Sequence, residues 1–563
     1  MFTWTIVLLS SLLLCAKATN SGWLLLSIHI PLLAAVHITF QSSHGTNAVL
    51  SHQRLGGFWS ATESALADPV WLWSSLVLEG VLLSVLLYVH SYMFHEVNML
   101  WFCCMLHGFA CVMLLFLAVY IIYAVLLLWE LLGLLSWCLI QQWISRVLAS
   151  LGSAKSAVMN RIFDALVLLV VCSVHGSTLS GSALLAAHTA VDSSSVADLT
   201  ILMMLSVKTV TVGIHSWLPD AMEGPTAVSA MIHAATLVIA GCVWMLRIAP
   251  SMWSHGMVAA SWGCAVAVYS TIALGCIDAK RIVAYSTAFH VGIMLLLSTV
   301  ATELSMTHMT NHATMKAMTF MCIGLIIHAN AVQDSRSITV NSNHCWVAPI
   351  TAWLLYHSSG WINSIVLVTK KALCDSTWAT STMYASHIAT ASIILGVCSS
   401  IAYSVFLLSI LLHSRRATAS EQLTSITEML HGIVLCVVLC LVTCYESLLH
   451  MHYAKLYAYD ALMHTVCYVS WWYVLQLALA SVIMYISLAS SFILLADSFV
   501  FWVSYDASLF RAVATGVATF RAFCFYLFDV WVASAEGVLL LGWATTSKSM
   551  IWGGIVLLIL LVV

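Results

Sequence analysis

Leu205 to Leu246 reads LSVKTVTVGIHSWLPDAMEGPTAVSAMIHAATLVIAGCVWML, two apolar helical segments that meet across WLPDAMEGP. The first carries Lys208 and the second carries His233. Pro219 and the pair Gly224-Pro225 punctuate the join. Proline lacks an N–H and clashes inside a helix, so Pro225 is expected to open a helix rather than sit within one. Glu223 then lies near the positive N-terminal end of that helix, where a carboxylate is favoured. Segments this apolar belong in a bilayer, where an ionisable side chain is a functional-site hypothesis by default.

The rest of the chain supports that setting. Of 563 residues, 62% are hydrophobic and 7% charged, and the mean hydropathy is +1.01. A soluble domain carries roughly 25% charged residues, so the composition is that of an integral membrane protein. The apolar runs have the length of helical spans, about 20 residues, not of the roughly ten-residue alternating strands of a barrel. The reading is an all-α, polytopic membrane protein of about 16 transmembrane helices. The net charge of −3 comes with no long basic or acidic run, which argues against a nucleic-acid partner. No Gly-rich phosphate loop or dinucleotide fingerprint occurs, so no nucleotide cofactor is expected on this chain. The 18 cysteines include no C-x-x-C pair. Cys436, Cys440 and Cys444 share one helical face and read as small packing residues rather than metal ligands.

Residues 4–15 are apolar and precede Ala16-Lys17-Ala18, a cleavage-like sequence, but MFTWT has no basic residue; a first membrane helix is the better reading. Spans are expected near 4–19, 22–40 and 69–93, with a polar loop at 41–68. Residues 100–142 are twice the length of one span and must fold back, though neither Gly nor Pro marks the turn. Residues 146–161 form an amphipathic connection with Arg146, Lys155 and Arg161. Further spans fall near 160–174, 198–218, 225–246, 253–275, 282–300, 309–330, 346–367, 386–412, 429–448 and 466–498. Residues 505–533 carry Asp506, Arg511, Arg521 and Asp529 among apolar residues, the pattern of a lateral helix lying along the membrane. A final anchor occupies about 549–563.

Glu130 lies in LLLWELLGLLSWCLI, where a carboxylate is costly unless paired or protonated. Lys208 offers the opposite sign, and the two side chains are expected to face each other, in contact or through a few waters. Burial disfavours the ammonium and a nearby carboxylate favours it, so a change in their separation would switch Lys208 between holding and releasing a proton. His233, His312, Lys316 and His328 are candidates for a polar axis running sideways through the bilayer. His312 and Lys316, four apart, share a helical face. Arg161 and Asp164 are expected to pair with each other or with neighbours, and Lys280 and Arg281 to anchor a helix at the membrane surface.

HSWLPDAMEGPTAVSAMIHAATLVIAG resembles the signature of the antiporter-like subunits of respiratory complex I, the largest of them above all. The resemblance runs from about Tyr92 to Arg336 and more weakly beyond. Trp129, Glu130 and Gly133 match a Trp-Glu-Gly-x-Gly pattern, with Leu131 in place of a glycine. Asn160-Arg161-Ile162-Phe163-Asp164 matches with Phe163 in place of glycine, and Asp278 to Thr287 matches closely. His290 stands where the family usually has glutamine; His312-Ala313 and Lys316-Ala317 keep the family pattern. One departure is pronounced: Ser359-Gly360-Trp361-Ile362-Asn363-Ser364-Ile365 puts Ser364 at the family's lysine position, and Lys371, seven residues on, is the expected substitute.

The resemblance implies two inverted five-helix antiporter-like repeats with broken helices, at residues 100–246 and 253–412, flanked by helices in 1–99 and 413–563. It implies an interruption near Lys208, eased by Gly213, and proton transfer through Glu130, Lys208, His233, His312, Lys316, His328 and Lys371. No cofactor is expected on this chain; NADH, flavin, iron–sulfur clusters and ubiquinone are implied elsewhere in the complex. The implied partners are other membrane-arm subunits, including a sister antiporter-like subunit, and membrane lipids. The implied location is the mitochondrial inner membrane, or a bacterial plasma membrane. The alternative is the large subunit of a multi-subunit sodium/proton antiporter, which shares this type of motif. A haem protein is a more distant rival for a chain with 24 histidines, since no spacing demands paired axial ligands.

Overall fold

A computed structural model of the chain describes residues 69–93, 96, 98–119, 122–175, 208–210, 215–248, 256–300, 302–330, 332–335, 337–338, 347–360, 365–379 and 384–412. The expected spans at 4–19, 22–40, 429–448 and 466–498, the lateral segment 505–533, the final anchor, Gly213 and Ser364 lie outside these residues. The described part is built of helices. Spans at Ser74–Tyr92, Thr226–Leu246, Ala279–Ser298, Thr302–Asn330 and Thr390–Leu407 are long and apolar enough to cross a membrane.

Helix α1 spans Pro69–Tyr92. The long apolar run divides as expected into α2, Met99–Ala118, and α3, Ile122–Ile140. The chain turns at Val119, which is extended (φ −90°, ψ 141°) with its N–H on Leu115 O. Any L-residue adopts that conformation, which is why neither Gly nor Pro is needed. The connection expected at 146–161 is instead the first half of α4, Val147–His175, one helix of 29 residues. No proline interrupts 147–175, so once the chain is helical at Val147 nothing in the sequence stops it.

Across WLPDAMEGP run the short α5, Trp217–Asp220, and a 3₁₀ turn, Ala221–Glu223. Pro225 is the N-cap of α6, Thr226–Ala234, as its fixed φ suits. The span expected at 225–246 is then broken: α6 ends at Ala234 and α7 runs Leu237–Ile248. Ala235 leaves the helical region (φ −130°, ψ −2°), and Thr236 Oγ1 donates to Met231 O at 2.8 Å. Met231 O thus accepts both the Ala235 N–H, at 3.3 Å, and the threonine hydroxyl at the point where the helix stops.

The second half of the described chain comprises α8, Gly256–Gly275, α9, Ala279–Val300, and α10, Thr302–Asn330. It continues with α11, Val347–Ser359, α12, Ile365–Ala379, and α13, Tyr384–Leu412. The span expected at 346–367 is therefore also divided, at Gly360 (φ +85°), and Lys370 and Lys371 lie inside its second part. Helix α8 packs along α13. A Cβ on Gly396 would come within 2.6 Å of Val266 Cγ1, so only glycine admits that approach. Small residues at such a crossing are how helices pack closely in a membrane.

Candidate functional site

Lys208 is wholly buried, two residues before Val210, whose φ is +56°. An interruption was expected near Lys208; the positive φ falls on a β-branched valine, for which it is a genuine outlier. Lys208 Nζ donates to Trp129 O and sits 4.0 Å from the centre of the Trp129 ring. The Trp129 indole N–H donates to Asp164 Oδ1 at 2.8 Å. Glu130 instead forms an ion pair with Arg161. The expected Glu130–Lys208 contact is replaced by this arrangement. Consecutive residues on α3 point about 100° apart, so Trp129 meets the lysine while Glu130 meets the arginine on α4. Asp164 thus reaches the Lys208 site through the Trp129 indole, whereas Glu130 is held by Arg161. Asp164 is the site residue that sequence reasoning left as a structural partner; its place in the Asn160-to-Asp164 motif was the available signal.

His233 occupies the last turn of α6, at the break. Its ring lies 6.5 Å from Trp217 and 5.8 Å from Phe320. Neither ring nitrogen has a hydrogen-bond partner among the described residues.

On α10, His308, His312 and Lys316 follow at intervals of four and form one buried row. Lys316 Nζ donates to Ser286 Oγ on α9. His290, also on α9, has its ring centre 5.4 Å from that of His312 and its Nδ1 3.1 Å from His308 Nε2. His308 Nδ1 lies 2.8 Å from Thr369 Oγ1 on α12. His328 is not part of the row. It lies about 18 Å along α10 from Lys316 by helical rise, with its ring 5.7 Å from Tyr92.

Lys370, the residue after Thr369 on α12, is buried in a separate set of contacts. Its Nζ donates to Ser359 O at 2.8 Å, Ser358 O at 3.4 Å and Ser400 Oγ at 3.2 Å, and lies 4.9 Å from the Phe289 ring centre. Three acceptors match the three hydrogens of an ammonium. Lys371, the residue expected here, is half-buried on the neighbouring face of α12. The sequence pointed to Lys371 rather than Lys370 because Lys371 lies seven residues, about two helical turns, beyond Ser364.

A second polar cluster surrounds the WLPDAMEGP loop. The Glu223 carboxylate bridges Arg146 and Arg281, each at 3.3 Å, and Lys155 pairs with Asp220 at 2.9 Å. Lys280, expected at the membrane surface, is buried and donates to Gly224 O at 3.3 Å. The loop folds over the start of α9 and offers Lys280 a free carbonyl there.

Residues 119–359 match the family model described as NADH:quinone oxidoreductase/Mrp antiporter, transmembrane. Among relatives, NADH-ubiquinone oxidoreductase chain 5 of Rhizopus stolonifer is 34% identical over 218 residues, 37% of this chain and 33% of the relative. The chain 5 protein of Metridium senile is 35% identical over 219 residues, 37% and 36% of the two chains. That of Phytophthora infestans is 32% identical over 302 residues, 50% and 46%. The chain is similar to NADH-ubiquinone oxidoreductase chain 5. The matches span between a third and about half of these relatives' own length. The antiporter-type segment, residues 119–359, contains Glu130, Asp164, Lys208, His233, His290, His308, His312 and Lys316, whereas Lys370 lies beyond it.

Proposed function

We propose that the chain is a proton-translocating membrane-arm subunit of NADH:ubiquinone oxidoreductase, moving protons through a buried lysine–histidine axis. Electron transfer from NADH to ubiquinone would take place elsewhere in that complex and drive it. What supports the reading is the set of buried basic groups: Lys208 beside the positive-φ Val210, His233 at the end of α6, and the row His308, His312 and Lys316 on α10. A buried amine with a carbonyl acceptor and an aromatic face can hold a proton. Carboxylates at a distance that changes with the break set how tightly it is held. Broken helices of this kind bind ions in membrane transporters, where exposed backbone ends line a cavity.

In this reading the full chain has about 16 helices, with inverted repeats at 100–246 and 253–412. It assembles with other membrane-arm subunits, among them a sister antiporter-like subunit, and with lipids. Cofactors reside on other subunits. The location is the mitochondrial inner membrane, or the plasma membrane of a bacterium. A sodium/proton antiporter subunit is the second reading, since the family description includes that class; the chain 5 names of the relatives favour the first.

Two measurements test it. Purification of the chain from its native membrane should bring flavin- and iron–sulfur-containing subunits with it. Lys208→Ala should leave the complex assembled and reduce NADH-driven proton uptake into inverted vesicles more than tenfold. Normal uptake by that variant sinks the reading.

A further inference from the structure

We infer that a small apolar cavity between α10, α11 and α13 is an insulating plug, which keeps Lys316 from exchanging protons with the membrane surface at the α8–α9 turn. The inference rests on the proton-translocation reading and adds to it the residues that keep the axis from leaking.

The route that needs blocking is laid out by the fold. Helices α9 and α10 are both long and apolar enough to cross a membrane. The start of α9 and the end of α10 therefore lie at one surface, where Asp278 and Asp334 are joined by a backbone bridge. Lys316 is fourteen residues from the end of α10 at Asn330, about 21 Å by helical rise. Lys316, Thr319, Ile323 and Ile326 follow at intervals of three, four and three, so one stripe of α10 runs from the lysine toward that surface.

The cavity lies along this stripe and measures about 20 Å³. Thr319, Ile323 and Ile326 form its α10 wall, residues of α11 and α13 form the opposite wall, and Ala279 and Ser335 lie at its surface end. The volume admits about one water molecule, but a buried water needs two to four polar partners. The wall is almost wholly apolar. Thr319 Oγ1 donates back to Lys316 O at 2.9 Å, within its own helix. Ser335 is buried at the outer end, and its Oγ has no hydrogen-bond partner among the described residues. A water entering there meets one hydroxyl and then a stretch of hydrocarbon, about 10 Å along α10 from Ile326 to Thr319. Apolar constrictions of this kind stop conduction by dewetting, and a proton has no hydrogen-bonded chain to follow across the gap. Lys316 Nζ is satisfied sideways instead, by Ser286 Oγ on α9. Its exchange is thereby directed along the buried row and not along its own helix to the surface.

The test uses the assembled complex in inverted membrane vesicles, with the amount of complex measured for each variant. Passive leak is read without NADH, as the decay of an imposed pH gradient. Ile323→Asn places an amide in the middle of the dry stretch and should speed the decay at least threefold per complex. Ile326→Thr is a smaller change, should act in the same direction, and serves if the asparagine variant does not assemble. Decay at the wild-type rate in whichever of them assembles overturns the proposal. Adding Lys316→Met to the leaking variant should restore the wild-type decay, because the leak runs to that lysine. A leak that persists without Lys316 comes from loosened packing and also overturns it. Ser335→Ala removes the hydroxyl at the outer end, and its NADH-driven uptake should stay within a factor of two of wild type. A loss of threefold or more would make the cavity an entry path for pumped protons and not a plug. Lys208→Ala in the same preparation separates the two levels. If it pumps normally the functional reading fails; if it loses pumping while the isoleucine variants stay tight, only the plug fails.

Discussion

At the residue scale, the first station is organised by Trp129. Its carbonyl takes the Lys208 hydrogen, its ring faces the ammonium and its N–H holds Asp164. Glu130, the residue that stands out in the sequence, is committed to Arg161, and its side chain is 34% exposed. A carboxylate already neutralised by an arginine has less effect on a third group than one whose main partner is a neutral indole. Asp164→Asn should therefore reduce proton uptake more than Glu130→Gln, by threefold or more, in assembled complex. An equal or reversed order of the two variants would show that Glu130 governs Lys208 despite its ion pair. In an isolated pair, one unit of pKa corresponds to about 1.36 kcal/mol, small beside the roughly 2.3 kcal/mol per charge that 100 mV supplies.

At the element scale, the breaks position the chemistry. A continuous helix satisfies its own carbonyl groups and has none to offer a side chain. Ending α11 at Ser359 frees Ser358 O and Ser359 O, and these are the acceptors of Lys370. Gly360 makes the turn possible at φ +85°, and a Cβ there would lie 3.3 Å from Lys370 Cδ. Gly360→Ala should cost about 1–2 kcal/mol for the left-handed backbone alone, and it should also push the lysine off its carbonyl groups. Less assembled complex, a lower melting temperature and weaker proton uptake are expected together. An unchanged melting temperature would mean that the break does not depend on this conformation. The break between α6 and α7 works differently: with no glycine or proline nearby, the Thr236 hydroxyl shares Met231 O with the Ala235 N–H.

At the scale of the whole described membrane unit, the WLPDAMEGP loop ties α4 to α9. Glu223 holds Arg146 on one side and Arg281 on the other, and its side chain is only 11% exposed while the arginines are 40% and 38% exposed. Such a node lies between an exposed pair, about 0.2–1 kcal/mol, and a buried one whose breaking costs about 3–5 kcal/mol. Glu223→Gln removes the anion and leaves two guanidinium groups facing each other. The assembled complex should melt several degrees lower, with NADH oxidation per remaining complex unchanged. A melting temperature equal to wild type would show that the three residues are held by packing and not by charge.

Apolar run length and low charge determined by themselves that this is a helical membrane protein, because a bilayer forces backbone groups to pair within helices. The turn in residues 100–142 followed from length alone, and Pro225 marked the start of α6 because its fixed φ acts locally. AMEGPT and SAMIHAAT carried the resemblance to the antiporter-like subunits, while His312 and Lys316 stood out because ionisable side chains in an apolar helix are conspicuous. Partners were decided only in the tertiary structure. Whether Lys208 meets Glu130 or Trp129, and whether Lys370 or Lys371 turns inward, depends on which helix packs against which face. A one-residue difference is about 100° of rotation, too small to read from composition and large enough to change every contact. The break at Ala235 was hidden, since no residue there prefers such a conformation, whereas the resemblance had implied an interruption near Lys208 without pointing to Val210.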